Sequence, residues 1–261
     1  MNGAGNDFVM IDNRDGRLVL DRAQIARICD RHRGVGADGL LAVEPARSGA
    51  DFRMRYYNAD GGEAEMCGNG ARCFARFARK VSGGTGPIAF ETMAGVIRAE
   101  FIGENVRIQM STPHSLRLDE TLDVAGENCS VHSVNTGVPH AAVFVDDLAK
   151  VDVHQLGHAL RFHTHFAPRG TNANFAQQLG PQSIAIRTYE RGVEGETLAC
   201  GTGMVATALI FHERTGALSP VRVKVAGGDT LEVAFVKTPD GYRDVTLTGP
   251  ADFVFEGEIA V

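Results

Sequence analysis

Apolar positions fall into two kinds of pattern along the chain. Short runs rich in apolar and aromatic residues predict strands over residues 8–12, 53–57 and 184–189. The second of these runs into the turn Asn58-Ala59-Asp60-Gly61-Gly62, and the third ends near Glu190-Arg191-Gly192. Stretches 88–110 and 221–247 predict runs of hairpin strands. Helical spacing marks the segment opened by Asp21. It recurs at Ala71, Phe74, Ala75 and Ala78, the i, i+3, i+4, i+7 pattern of a helix with one apolar face. Residues 204–211 are apolar on almost every face, broken only by Thr207, and predict a helix that must be enclosed.

These elements occur twice. Cys67 opens Cys-Gly-Asn-Gly-Ala-Arg-Cys and, 133 residues later, Cys200 opens Cys-Gly-Thr-Gly-Met-Val-Ala. The same offset carries Gly95 onto Gly228 and Asp21 onto His154, and it brings the early strand 8–12 near 143–147. Pro113 and Pro250 close the two halves. An internal repeat of this kind predicts a duplicated unit. We expect an α+β fold of two pseudo-symmetric domains, each a curved, mostly antiparallel or mixed sheet around a central helix. The N-terminal half covers 1–115, the C-terminal half covers 116–250, and a last strand over 251–261 joins the first half.

Length and composition fit this picture. A chain of 261 residues, 44% hydrophobic and 22% charged, is long enough for two globular domains. It holds no apolar run long enough for a membrane helix, and its start lacks the pattern of a signal peptide, so a cytoplasmic protein is expected. A net charge of −6 with no basic cluster speaks against nucleic acid as partner. The four cations between Arg72 and Lys80 are interleaved with apolar residues and read as the solvated face of a helix.

Five cysteines, an odd number, make no disulfide framework, and none are spaced as metal ligands. Cys29 and Cys129 carry no motif and read as buried small hydrophobes. Cys67 and Cys200 differ, because each precedes Gly-x-Gly at a helix start. A helix N-terminus carries partial positive charge and unsatisfied N–H groups, which favour a thiolate and can hold a carboxylate. The glycines let a ligand approach the backbone. Two such starts related by a repeat could bring thiols to opposite faces of one carbon. One thiolate would remove a proton and the other thiol return one, which is general base and general acid catalysis with one residue type.

At this point the chain resembles the diaminopimelate epimerase family, enzymes that interconvert LL- and meso-diaminopimelate without pyridoxal phosphate in lysine and cell-wall biosynthesis. The resemblance spans nearly the whole sequence. It rests on Gly3-Ala4-Gly5-Asn6-Asp7-Phe8, on Asp30-Arg31-His32-Arg33-Gly34-Val35-Gly36-Ala37-Asp38-Gly39, on Asn58-Ala59-Asp60-Gly61 and on the Cys67 motif. It continues through Gly137-Val138-Pro139-His140, Asn172-Ala173-Asn174-Phe175, Glu190-Arg191-Gly192 and the Cys200 motif.

The resemblance implies that Cys67 and Cys200 are the catalytic pair and that Gly68, Asn69, Gly201 and Thr202 hold the reacting carboxylate. Asn6, Asn58, Asn172, Glu190 and Arg191 would bind the remaining amino and carboxyl groups, and His140 and Glu190 would tune the thiols. It also implies a homodimer that closes over a small-molecule amino-acid substrate, with no cofactor and no metal. The sequence departs from the family at Asn2, where His is common, at Gly39, where some members carry Gln, and at Val138, where many carry Asn. Many members also have a few residues before the position of Met1, forming a first strand.

Other readings stay open on the residues alone. A two-cysteine racemase of the proline racemase type shares the chemistry. A non-catalytic amino-acid-binding protein could keep the fold. Cys67 with Cys73 could form a redox pair. His154, His158, His163 and His165 cluster, and the first two have the i, i+4 spacing of metal ligands. No Glu follows in the His-Glu-x-x-His manner, so an exposed helix and loop is expected there. Gly3-x-Gly5 lacks the strand and third glycine of a dinucleotide fingerprint.

Overall fold

The computed structural model describes residues 1–260. Backbone contacts divide the chain into two compact units, Met1–Gln109 with the stretch from Thr248 onward, and Met110–Leu247.

In the first unit the elements are β1 (Asn2–Gly3), β2 (Asn6–Asp12), α1 (Arg22–Cys29), β3 (Gly39–Pro45), β4 (Phe52–Asn58), α2 (Gly68–Ser82), β5 (Ile88–Thr92), β6 (Gly95–Ile102) and β7 (Asn105–Gln109). The strands pair in chain order from β1 to β7. β2 runs parallel to β3, β3 antiparallel to β4, β4 parallel to β5, and the rest are hairpins. α1 is fixed at its start by a capping box, in which Asp21 accepts from the Gln24 N–H and Gln24 reaches back to the Asp21 N–H. It buries Ile25, Ile28 and Cys29 against Leu40 and Ala42 of β3 and Ala37 just before it. α2 lies against β1, β2, β3, β4 and β7.

The second unit repeats that order. It holds β8 (His114–Val124), β9 (Glu127–Asn135), β10 (Pro139–Phe144), α3 (Val153–Arg161), β11 (Asn172–Gly180), β12 (Ser183–Glu190), β13 (Gly195–Thr197), α4 (Gly201–Thr215), β14 (Val221–Lys224), β15 (Thr230–Thr238) and β16 (Gly241–Gly249), which runs into the terminal stretch. β10 is parallel to β11, β11 antiparallel to β12, β12 parallel to β14, and β14 antiparallel to β15, the same sequence of pairings as β2 to β6. α3 packs on β11 and β12 through Val153 and Leu160, against Ala173, Phe175 and Tyr189. α4 takes the opposite face. The fold is α+β, with mixed sheets and few helices.

The central helices match in detail. Each has 15 residues, an extended cysteine at the N-cap and a left-handed glycine, Gly83 or Gly216, at the C-cap. In α4 every residue from Met204 to Phe211 is buried, as an all-round apolar helix requires. In α2 the apolar stripe Ala71, Phe74, Ala75 and Ala78 is buried as its period predicts.

Two expectations need correction. Lys80 is solvated, but Arg72 is wholly buried. Its guanidinium donates to the carbonyls of Gly3, Gly68 and Pro250 and to Asn69 Oδ1, so it closes a ring of backbone acceptors that the charge pattern did not reveal. The last strand over 251–261 does not form within the described residues, and Val261 lies outside them. Only an isolated bridge joins Asp252 to Asn2, because the two-residue strand β1 offers too little edge to extend. Arg76 holds this segment instead, donating to the Ala251 carbonyl.

Candidate functional site

Strand periodicity sets the chemistry of the second unit. In the observed register His140 pairs with Asn172, Ala142 with Asn174, and Asn174 with Thr188. With a period of two, His140, Asn172, Asn174, Thr188 and Glu190 share one sheet face. Ala142, on that face, packs against Ala206 and Ile210 of α4. Cys200 caps α4 and is buried, with 6% of its surface exposed. The first intrahelical bond runs from the Met204 N–H to the Cys200 carbonyl, so the N–H groups of Gly201, Thr202 and Gly203 precede the helical ladder.

Polar side chains support this turn. His140 is fully buried, and its Nε2 lies 2.9 Å from Thr202 Oγ1. Thr202 Oγ1 in turn lies 3.6 Å from Cys200 Sγ. Burial, reinforced by the charge of Arg191, lowers the His140 pKa to about 3, so the ring is neutral. Burial raises the Glu190 carboxyl above its ordinary range, although the Thr197 hydroxyl donates to it at 3.0 Å and partly offsets the shift. Asn172 donates to the Pro139 carbonyl and accepts from the Arg191 N–H, which fixes the corner where Glu190 and Arg191 leave the strand.

In the first unit Cys67 caps α2 and is half-buried, and its carbonyl accepts the first intrahelical bond from Ala71. Gly68 and Asn69 follow, both buried. Asn69 Nδ2 donates to Asn6 Oδ1, Asn6 donates to Asp38 at 2.9 Å, and Asp38 accepts from Arg31. Arg31 also grips Asp7 with both terminal nitrogens. Burial alone would raise the Asp7 pKa, but these hydrogen bonds hold it below the ordinary range. Gly3 passes over this turn so closely that a Cβ there would come within 2.7 Å of the Asn69 carbonyl oxygen. Asn58 stands exposed at the end of β4, opposite Gly39 in the register.

The remaining candidates fall elsewhere. Cys73 is buried in the core, and burial pushes its thiol up to about 12. Cys29 is likewise pushed up, to about 11. His154 and His158 lie against the Tyr189 ring, and His158 also packs on Phe162. Among the described residues no group of three His, Cys, Asp or Glu side chains is placed to hold a metal. None of the helices there is long and apolar enough to cross a membrane.

The family model for diaminopimelate epimerase matches residues 1–116 and 132–254. The chain belongs to the diaminopimelate epimerase family. It is 44% identical to the diaminopimelate epimerase of Aquifex aeolicus (strain VF5), over all of this chain and 96% of that one. It is also 44% identical to that of Chlorobaculum tepidum, over the full length of both. Among solved structures, a Bacillus anthracis protein of the PhzF phenazine biosynthesis family aligns with a TM-score of 0.76 at 16% identity, covering all of this chain and 95% of that one. A probable proline racemase from Agrobacterium radiobacter K84 aligns at 0.67 and 20% identity, over 90% of this chain and 80% of that one. At such identities the likeness is one of fold.

Within this diaminopimelate epimerase family member, sequence reasoning missed the residues that support the two cysteine turns. Arg31 and Asp38 stand in the Asp30–Gly39 motif with no role that spacing reveals, and Arg72 reads from the sequence as a solvated cation. Asn174 was visible as the second Asn of Asn-Ala-Asn, whose spacing of two puts it on the face of Asn172. Thr188 carries no signal beyond strand alternation, and Thr136, which lies just past β9 and donates to the Thr202 carbonyl, carries none.

Proposed function

We propose that this chain interconverts LL- and meso-diaminopimelate, an isomerase acting by two-base proton transfer at the α-carbon in lysine and peptidoglycan precursor synthesis. One observation carries the reading. Pseudo-equivalent helices each begin with Cys-Gly-x-Gly, in a chain that matches named diaminopimelate epimerases along its whole length.

In this reading one thiolate, Cys67 or Cys200, takes the α-proton, and the C–H electron pair moves toward the carboxylate. The N–H groups at Gly68, Asn69, Gly201 and Thr202 stabilise the charge that builds there. The other thiol returns a proton to the opposite face. Asn6, Asn58, Asn172, Glu190 and Arg191 take the remaining polar groups of the substrate, with the planar fork of Arg191 suited to a carboxylate. His140 and Glu190 set the protonation of the thiols. The chemistry asks for no cofactor. A cytoplasmic homodimer is part of the same reading, tested by cell fractionation and sedimentation equilibrium.

The deciding experiment incubates the protein with LL-diaminopimelate in D2O under reducing conditions. Deuterium at the α-carbon together with meso product supports the reading. Exchange on proline and not on diaminopimelate overturns the substrate, and no exchange on any amino acid overturns the activity.

A further inference from the structure

Asn174 is fully buried near the start of β11. Its Nδ2 donates to the Ala141 carbonyl at 2.9 Å, an acceptor with no proton to give, so the amide orientation is determined. Its Oδ1 accepts from the Thr188 hydroxyl at 2.9 Å. The second Nδ2 hydrogen therefore points at His140 Nδ1, 3.2 Å away. A nitrogen facing a donor must be the bare one, so the single proton of the neutral ring sits on Nε2.

That choice propagates. Nε2–H donates to Thr202 Oγ1, which leaves the threonine hydrogen to turn toward Cys200 Sγ. Thr136 donates to the Thr202 carbonyl at 3.0 Å and holds this turn of backbone in place. Gly203 makes room for the arrangement, since a Cβ there would stand 2.5 Å from Asn174 Oδ1. The charged group that acts on the ring is Arg191, and Glu190 lies on the same sheet face two strands away. Neither is hydrogen-bonded to His140 in a way that competes with Asn174.

We propose that Asn174, backed by Thr188, is a positioning residue that fixes the His140 tautomer so that Thr202 presents an O–H donor to the Cys200 sulfur. A donor aimed at sulfur stabilises thiolate over thiol. The proposal rests on Cys200 being a proton-transfer group, but its physical content does not need the substrate.

The test is Asn174→Asp, which exchanges the donor facing Nδ1 for an acceptor at nearly constant volume. Histidine 15N NMR, with His140 assigned by its loss in His140→Gln, reads the tautomer. Alkylation by iodoacetamide across pH, followed by mass spectrometry on the peptide carrying Cys200, reads the thiol. The wild-type ring is expected to carry its proton on Nε2, and Asn174→Asp to move it to Nδ1. The alkylation midpoint of Cys200 then rises by about one pH unit, a roughly tenfold loss of thiolate below the midpoint. Thr202→Val gives the same rise, and adding Asn174→Asp to it gives no further change. In turnover, Asn174→Asp lowers kcat at pH 7 by about tenfold with KM changed less than about twofold.

A wild-type ring protonated on Nδ1 overturns the proposal, as does a tautomer switch that leaves the midpoint in place. If Asn174→Asp does not fold, the wild-type tautomer and the Thr202→Val midpoint decide alone. A protein that shows the tautomer and the midpoint shifts but exchanges no diaminopimelate refutes the proposed activity and leaves the positioning role standing.

Discussion

Asn69 Nδ2 donates to Asn6 Oδ1 at 2.6 Å, which ties the first turn of α2 to the start of β2. Both amides are used at their other ends as well, Asn69 Oδ1 by Arg72 and Asn6 Nδ2 by Asp38. Replacing Asn6 with Ala leaves a buried Asn69 donor without that acceptor. The expected cost is about 1–2 kcal/mol of stability, with a lower urea midpoint at unchanged m. The turn that follows Cys67 loses its anchor at the same time, so kcat/KM is expected to fall by about tenfold or more. Full activity in a destabilised variant would show that the bond serves folding alone.

Arg72 makes a larger prediction. Its side chain is completely buried and serves three carbonyls and Asn69. Arg72→Met keeps the stem and removes every donor. The orphaned acceptors are expected to cost about 3–5 kcal/mol, a large fraction of the stability of an ordinary domain. A urea titration showing a loss below about 1 kcal/mol would mean that water replaces the guanidinium.

Much of this was readable from the chain because it rests on local signals. The stripe Ala71, Phe74, Ala75 and Ala78, the all-apolar run of α4 and the repeat offset each depend only on period and spacing. The supports of the two cysteine turns were not readable, because they are made by residues far apart in sequence. Arg72 gives its donors to Gly3 and Pro250, which flank opposite ends of the chain, and no local pattern distinguishes that arginine from the solvated Lys80. The expected last strand does not form among the described residues for a similar reason, since pairing depends on the length of the edge on offer, here Asn2 and Gly3.

His140 predicts a pH dependence of stability. The folded ring has a pKa of about 3, against an ordinary histidine value of 6.5. Between those values the unfolded chain binds a proton that the folded ring refuses, so the contribution is intact above the upper value and is lost as pH falls through the window. The slope approaches about 1.4 kcal/mol per pH unit for this one group. His140→Gln removes it. The wild type is therefore expected to lose more stability than the variant between pH 7 and pH 4, measured by urea midpoints at each pH. Parallel curves would place the ring in contact with solvent.

Mutating the cysteines tests the two-base chemistry directly. Cys67→Ala and Cys200→Ala are each expected to abolish epimerisation, because removal and return of the proton need separate groups on opposite faces. Product formed at near wild-type rates by either variant would sink the mechanism.

Two glycines at the ends of α4 separate chemistry from stability. Gly216 closes the helix at φ 72°, with nothing within 4 Å of a built Cβ. Gly216→Ala is therefore strained only in its backbone, about 1 kcal/mol, and should leave turnover unchanged. Gly203 lies in the first turn with ordinary backbone angles, but its space is taken. A Cβ there would stand 2.5 Å from Asn174 Oδ1 and 3.4 Å from Cys200 Sγ. Gly203→Ala must push either the amide that orients His140 or the helix start that carries the thiol. A displacement of several tenths of an ångström at that point is expected to lower kcat/KM by about a hundredfold while the protein remains folded. Measuring stability and turnover of both variants side by side is decisive. If Gly203→Ala keeps full activity, the buried amide yields freely and does not hold the Cys200 turn.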